Sequence, residues 1–226
     1  MTNGPYSIGV IMDGNRRWAK EQGVSPLEGR TKGLETLREL MGWSNAAGIK
    51  EVTIYAFSTE NWKRAPEEVS HLMGLIEYAF ENQMKEVIEK GVKIRFIGDR
   101  SMASEKVQKV IEKIEERTKG GTAGTLAIAF SYGGRPEILN AVNTLLREGK
   151  TEVTDADFEN ALWTSGMQEP DLIIRTGGEK RLSNFLPWQS VYSELFFTDT
   201  KWPAFSKEEF DSMIEEFRGR ERRRGK

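Results

Sequence analysis

The sequence contains no cysteine and only one histidine. Without cysteine there are no disulfides, no thiolate metal sites and no thiol nucleophile, so stability must come from packing. His71 alone cannot build a histidine-rich metal site, nor a Ser/His/Asp triad unless it supplies the base. Any metal used here is therefore expected to be a hard, oxygen-bound cation such as Mg²⁺. Also missing is a run of about 18 apolar residues, the length needed to cross a membrane as a helix. The opening stretch MTNGPYSIGVIMDGNRRW lacks the basic, long-apolar and small-residue pattern of a secretory leader, and a cytoplasmic location is the expectation. There is no basic excess: the formal net charge is −2, which argues against a general nucleic-acid binder. Neither G-x-x-x-x-G-K-[ST] nor G-x-G-x-x-G occurs, so nucleotide readings lose their usual support.

What is present is an ordinary globular composition, 38% hydrophobic and 30% charged over 226 residues, and one domain spanning 1–226 is expected. Its basic tail, 218–226, reads as a solvated end that would also suit an anionic ligand or a membrane surface met peripherally. Short β-branched or apolar runs alternate with longer stretches of helical period, which predicts an α/β fold around a mostly parallel sheet. Six strands are read, at Ser7 to Met12, Glu51 to Phe57, Val92 to Ile97, Thr125 to Phe130, Leu172 to Ile174 and Glu194 to Phe197. Helices are read at Leu34 to Ala47, Val69 to Lys90, Ser104 to Thr118, Arg135 to Arg147, Asp155 to Trp163 and Ser206 to Arg218.

In open α/β sheets ligands bind beyond the carboxyl ends of the strands, so the residues after each strand carry the functional signal. The first strand ends in Asp13-Gly14-Asn15-Arg16-Arg17-Trp18 and the second in Ser58-Thr59-Glu60-Asn61-Trp62-Lys63-Arg64. A carboxylate, a glycine turn leading into a short helix and two arginines could form a diphosphate–Mg²⁺ cradle; Asp13 as a simple helix cap is the other reading. After the fifth strand, Arg175, Arg181 and Ser183 flank a Gly-Gly turn, where guanidinium forks and a hydroxyl can converge on a second diphosphate. Surface salt bridging is the alternative there.

The stretches IMDGNRRWA, YAFSTENWKR, FIGDR, SYGGR, DLIIRTGGEKRLSNFLPWQ and YSELFFTDTKWPAF, in that order, resemble the signature regions of the cis-prenyltransferases, the undecaprenyl diphosphate (Z-isoprenyl diphosphate) synthase family. That resemblance implies a single-domain α/β fold, a central six-stranded mostly parallel sheet flanked by helices, with a hydrophobic tunnel, in a homodimer. It implies that Asp13 is catalytic and works with Mg²⁺, with Glu194 helping to bind the metal. Gly14, Asn15, Arg16, Arg17, Trp18 and Arg30 would hold the allylic diphosphate, and Arg175, Arg181 and Ser183 the isopentenyl diphosphate. Ser58, Asn61, Trp62 and Arg64 would belong to a segment closing over the reacting carbons, with Asn61 and Ser58 in the proton-removing network. Phe57, Trp62 and the apolar faces of Leu34 to Trp43 and Leu72 to Phe80 would line or close the tunnel, and Arg223 and Gly225 would fit the family's C-terminal R-x-G element. His71 is expected to be structural.

The sequence also departs from the long-chain pattern. Arg30 stands where the family usually has histidine, Arg16 where glycine is common, Ser131 where asparagine is usual, Phe130 where a small residue is more frequent and Pro187 where leucine is typical. Phe130 is expected to shorten the tunnel, implying a short or medium product. Arg30, Pro187 and Met41-Gly42-Trp43 also resemble the branching, lavandulyl-type members, which join units head-to-middle with dimethylallyl diphosphate as acceptor. Head-to-tail extension with isopentenyl diphosphate is the first reading and head-to-middle joining the second. A non-catalytic partner subunit of the same fold is a third, disfavoured by the retained Asp13, Arg175, Arg181 and Ser183.

Overall fold

A computed structural model describes residues 4–78 and 89–221; for Glu68, His71 and residues 75–78 it describes the backbone alone. Six strands form one sheet: β1 Ser7–Ile11, β2 Glu51–Ser58, β3 Val92–Ile97, β4 Gly124–Tyr132, β5 Leu172–Arg175 and β6 Glu194–Phe197. Their order is β3-β4-β2-β1-β5-β6 and every pairing is parallel. The strands are short and apolar because a parallel sheet is covered on both faces; β1 and β5 are buried at every residue.

Seven α-helices are described: α1 Asn15–Gln22, α2 Pro26–Ala46, α3 Pro66–Tyr78, α4 Glu105–Thr118, α5 Gly134–Arg147, α6 Asp155–Ala161 and α7 Lys207–Gly219. On one face Ile8, Val10, Ile54, Phe96, Ile128 and Phe130 pack with Leu37 and Leu40 of α2, Ile111 of α4 and Phe210 and Phe217 of α7. On the other, Ile11, Ile97, Ala129, Tyr132 and Ile173 meet Phe185 and Leu186 of the loop after β5. A satellite core joins Ala141 and Leu145 of α5 to Phe158 of α6.

The predicted strands agree with the structure to within two residues. Helix α2, however, begins at Pro26, eight residues before the predicted start. Ser25 caps it through a reciprocal Ser25–Glu28 box with Pro26 in its first turn. Gly29 and Gly33 hid this helix in the sequence, since glycine ordinarily interrupts helices. They are there because α1 crosses very close: a Cβ on Gly33 would lie 2.2 Å from Asn15 Oδ1, and one on Gly29 2.7 Å from the Asn15 carbonyl. The predicted helix Val69 to Lys90 starts three residues earlier, at Pro66, and its later part lies outside the described residues.

Candidate active site

Residues at the carboxyl ends of β1, β2 and β5 assemble one mouth. The chain leaves β1 through Met12 and Asp13 and turns at Gly14, whose φ of 107° is open to glycine at little cost. A side chain at Gly14 would also strike the Cβ of Lys201 at 2.8 Å. The turn is pinned from β5, where the Thr176 hydroxyl donates to the Asp13 carbonyl at 2.8 Å, and from the Trp202 backbone N–H at 3.0 Å. Asn15 then donates its side-chain amide back to the Met12 carbonyl at 3.0 Å, and α1 begins.

Asp13 sits between two guanidinium groups. Arg175 Nη2 lies 3.0 Å from Oδ2 and Arg17 Nη2 3.2 Å from Oδ1. The Asp13 side chain remains 32% exposed toward the mouth, so it can still meet a ligand, whereas the Arg175 side chain is 5% exposed. Arg175 Nη1 is taken by the Arg181 carbonyl at 2.6 Å and by Ser183 Oγ at 2.7 Å. Arg175 thus braces both the carboxylate and the loop after β5. Arg181 is exposed and reaches Glu179 at 2.5 Å, and Ser183 is exposed with φ of 49°.

That loop is anchored by polar groups that the sequence reading passed over. Asn184 accepts from the Arg135 N–H at 2.9 Å and donates to Glu60 Oε1 at 3.0 Å. Tyr55 OH reaches the Tyr132 and Ser183 carbonyls at 3.2 and 3.3 Å. Burial, reinforced by the Glu60 charge, raises the Tyr55 phenol far above its ordinary value, so it stays a donor. Beneath the loop, fully buried Glu137 accepts from Tyr132 OH, the Thr164 N–H and hydroxyl, and Gln189 Nε2. These residues carry no periodicity or motif of their own. The only signal was membership of the signature-like stretches, Tyr55 and Glu60 in YAFSTENWKR, Tyr132 and Arg135 in SYGGR, and Asn184 and Gln189 in SNFLPWQ; Glu137 and Thr164 lie in none.

From the mouth a cavity of about 500 Å³ runs between the sheet and helices α2 and α3. Its entrance carries Arg16, Arg17, Arg30, Arg64 and Asn61 around Asp13, the one carboxylate among the described lining residues. Its interior is apolar, with Leu34, Leu37, Ile54, Ala56, Leu72, Phe96, Ile128 and Phe130 among its walls. Volumes of roughly 300–1,000 Å³ are typical of small-molecule sites. A charged mouth over a greasy cavity fits an amphiphile with an anionic head.

Of the predicted residues, Asp13, Gly14, Asn15, Arg16, Arg17, Arg30, Asn61 and Arg64 line this cavity together. Phe57 and Trp62 do not face it; they stack beneath its wall, edge to face at 4.8 Å. Trp18 and Ser58 are half-buried beside the lining residues, with the Ser58 N–H donating to Asn61 Oδ1 at 3.1 Å. Arg223 and Gly225 lie outside the described residues, as does the His71 side chain.

Glu194 is not brought to Asp13 within one chain. It opens β6 opposite Leu172, whereas Asp13 follows Ile11, which pairs with Arg175 at the other end of β5. At about 3.3 Å per residue the two lie on the order of 15 Å apart along the strands. Glu194 instead pairs with Arg220 at 2.6 Å. No group of three or more histidine, aspartate or glutamate side chains that could hold a metal occurs among the described residues. This does not disqualify Mg²⁺, which commonly takes one carboxylate and completes its shell with substrate phosphates and water. Half-buried Asp13, in a mouth lined by arginines, fits that donor set.

A parallel α/β sheet with an arginine-lined mouth over an apolar cavity defines the class. The profile of the undecaprenyl diphosphate synthase family matches residues 11–225. Curated relatives include an isoprenyl transferase of Fusobacterium nucleatum, 46% identical over 99% of this chain and 96% of its own. Another, from Thermotoga maritima, is 45% identical over 98% and 97%. Among solved structures, lavandulyl diphosphate synthase from Lavandula x intermedia in complex with dimethylallyl diphosphate superposes with a TM-score of 0.93. It is 31% identical, with 99% of both chains covered. A probable undecaprenyl diphosphate synthase from Campylobacter jejuni gives a TM-score of 0.84 at 34% identity, covering 98% and 99%. The chain belongs to the undecaprenyl diphosphate synthase family of prenyltransferases.

Proposed function

We propose that the protein is a Mg²⁺-dependent cis-prenyltransferase that condenses an allylic prenyl diphosphate with isopentenyl diphosphate, head-to-tail and in Z-geometry, to a short or medium product. The observation that carries this reading is the pairing of an arginine-lined mouth around Asp13 with an apolar cavity behind it. The head of an allylic diphosphate suits Arg16, Arg17 and Arg30, and its tail suits the cavity.

The reaction breaks the allylic carbon–oxygen bond, releases diphosphate, forms one carbon–carbon bond and ends with loss of a proton. Its barrier lies in the charge that develops on the departing diphosphate, and preorganised guanidinium and amide donors stabilise that charge without rearranging. Mg²⁺, held at Asp13, would add Lewis-acid neutralisation of the leaving group. Arg175 supports this from behind by fixing the Asp13 carboxylate and the loop bearing Ser183. Exposed Arg181 and Ser183 are assigned to the second diphosphate. Asn61, its carboxamide oriented by the Ser58 N–H, stands at the mouth where the proton leaves.

Phe130, buried in the cavity wall against Phe57 at 5.7 Å, supports a product shorter than the longest the family makes. A second reading, head-to-middle joining with dimethylallyl diphosphate as acceptor, is favoured by the 0.93 TM-score to the lavandulyl enzyme and by Arg30 in the mouth. Purified protein with Mg²⁺ and dimethylallyl, geranyl, farnesyl or geranylgeranyl diphosphate, each with and without isopentenyl diphosphate, separates the two. Product that requires isopentenyl diphosphate supports extension; product from dimethylallyl diphosphate alone supports branching; none from any pair overturns both.

The reading includes a homodimer acting in the cytoplasm. Leu139, Val142 and Leu146 lie exposed along one stripe of α5, a surface suited to a second copy. Sedimentation should give about twice the 25.7 kDa chain mass, falling toward the monomer in Leu146→Glu.

A further inference from the structure

The ladder between β2 and β4 is irregular near the mouth, where Tyr55 pairs with Ala129, Phe57 with Phe130 and Ser58 with Tyr132. Ala56 is therefore an extra residue in β2, and Ser131 an extra residue in β4 one step further on. Such bulges re-aim side chains and are common beside active sites. The effect in β4 is visible on the two faces. Ala129 and Tyr132, three apart, both join the core behind the sheet, whereas alternation would place them on opposite faces. Ser131 absorbs the difference with φ of 49°, a left-handed conformation that strains a non-glycine residue.

This strained residue is fully buried, and its carbonyl is held by the Asp99 N–H at 3.1 Å. Its hydroxyl accepts from the Trp62 indole N–H at 2.9 Å. Trp62 belongs to the 3-10 turn Thr59–Lys63, whose neighbours Asn61 and Arg64 line the cavity mouth. The indole is thus tied down twice, by this bond and by the edge of Phe57.

We propose that Ser131 is a positioning residue for prenyl transfer: through the bulge in β4 its hydroxyl anchors Trp62 and thereby fixes Asn61 and Arg64 at the rim of the cavity. A neutral hydrogen bond justifies the strain only where placement of the acceptor matters, and a rim shaping a reactive carbocation is such a place. The kinetic part of the proposal rests on the transfer reading above; the structural part does not.

The full chain is compared with Ser131→Ala, Trp62→Phe, the double variant and Ser131→Asn. Trp62→Phe keeps the ring on Phe57 but removes the N–H. Asparagine keeps an acceptor and tolerates the left-handed region. Amide hydrogen exchange over residues 59–64 should quicken about fivefold in Ser131→Ala, the factor such a bond carries. The double variant should exchange no faster than the faster single one, since the two groups act through one bond, and Ser131→Asn should return to the parent rate.

With farnesyl and isopentenyl diphosphates and Mg²⁺, kcat/KM should fall by about the same factor in Ser131→Ala and recover in Ser131→Asn. Should Ser131→Ala fail to fold, Ser131→Gly removes the hydroxyl while relieving the strain, and the same exchange is expected. Unchanged exchange at 59–64, or an increment in the double variant equal to the sum of the two singles, overturns the proposal. A wild-type chain without turnover but with the expected exchange pattern counts against the transfer reading and supports the anchor.

Discussion

In the proposed reaction Asp13 concentrates the chemistry at the scale of single residues. Replacing it with alanine removes the only carboxylate among the described residues that line the cavity, and turnover should fall about a thousandfold, the size of effect seen when a transition-state charge partner is lost. Circular dichroism should stay native, because the Asp13 carbonyl, not its carboxylate, receives the bonds from Thr176 and Trp202. Gly14→Ala is the converse case, a change with no chemistry of its own. A methyl at φ 107°, 2.8 Å from Lys201 Cβ, should lower stability by roughly 2–3 kcal/mol in urea titration. Residues of this kind were legible because aspartate, glycine and arginine at a strand end each have a local reason to be there. Arg175 was only half legible. Its place at a strand end predicted an anion nearby, yet its partner Asp13 is 162 positions away, and no local pattern reports that.

Between elements, the site depends on how the turn after β2 is fastened to the loop after β5. The fastening is Glu60 to Asn184. Burial works against the Glu60 charge, but its own backbone N–H, Asn184 and the Ser58 and Thr59 hydroxyls outweigh it and hold the carboxyl below its ordinary 4.5. A depressed carboxyl contributes stability above its unfolded value and loses it as pH falls through the folded one. Protection of residues 59–64 and 182–186 from hydrogen exchange should therefore weaken together as pH falls below about 4.5. In Glu60→Gln that acid-dependent part should vanish. Strand periodicity gave the strands to within two residues, because both faces of the sheet impose it. It did not give the fastenings, which are single polar contacts between loops, nor the first two turns of α2, whose glycines answer to Asn15 at the start of α1.

For the whole molecule, the design separates head from tail. The charged mouth comes from strand ends and the first turns of α1 and α2, whereas the cavity walls come from strand interiors and the buried face of α2. Product length should accordingly be adjustable without loss of the chemistry. Phe130→Leu, at a stability cost of about 1 kcal/mol, should shift the product distribution upward by at least one isoprene unit under mass analysis, with kcat/KM for the first condensation little changed. An unchanged distribution would remove Phe130 from length control.

The sheet order has a further consequence, in the order of events during synthesis. β1 is made before its neighbour β5, which begins more than 160 residues later, at Leu172. The pair that braces the Asp13 carboxylate, Asp13 with Arg175, closes a loop of 162 positions, and contacts of such sequence separation form late. An incomplete chain can build helices, the β2–β4 ladder and the local Arg17–Asp13 pair, but it lacks the buried Arg175 that holds the other carboxylate oxygen. On the proposed reading, a chain therefore becomes competent toward a diphosphate only after β5 and Arg175 have joined the sheet.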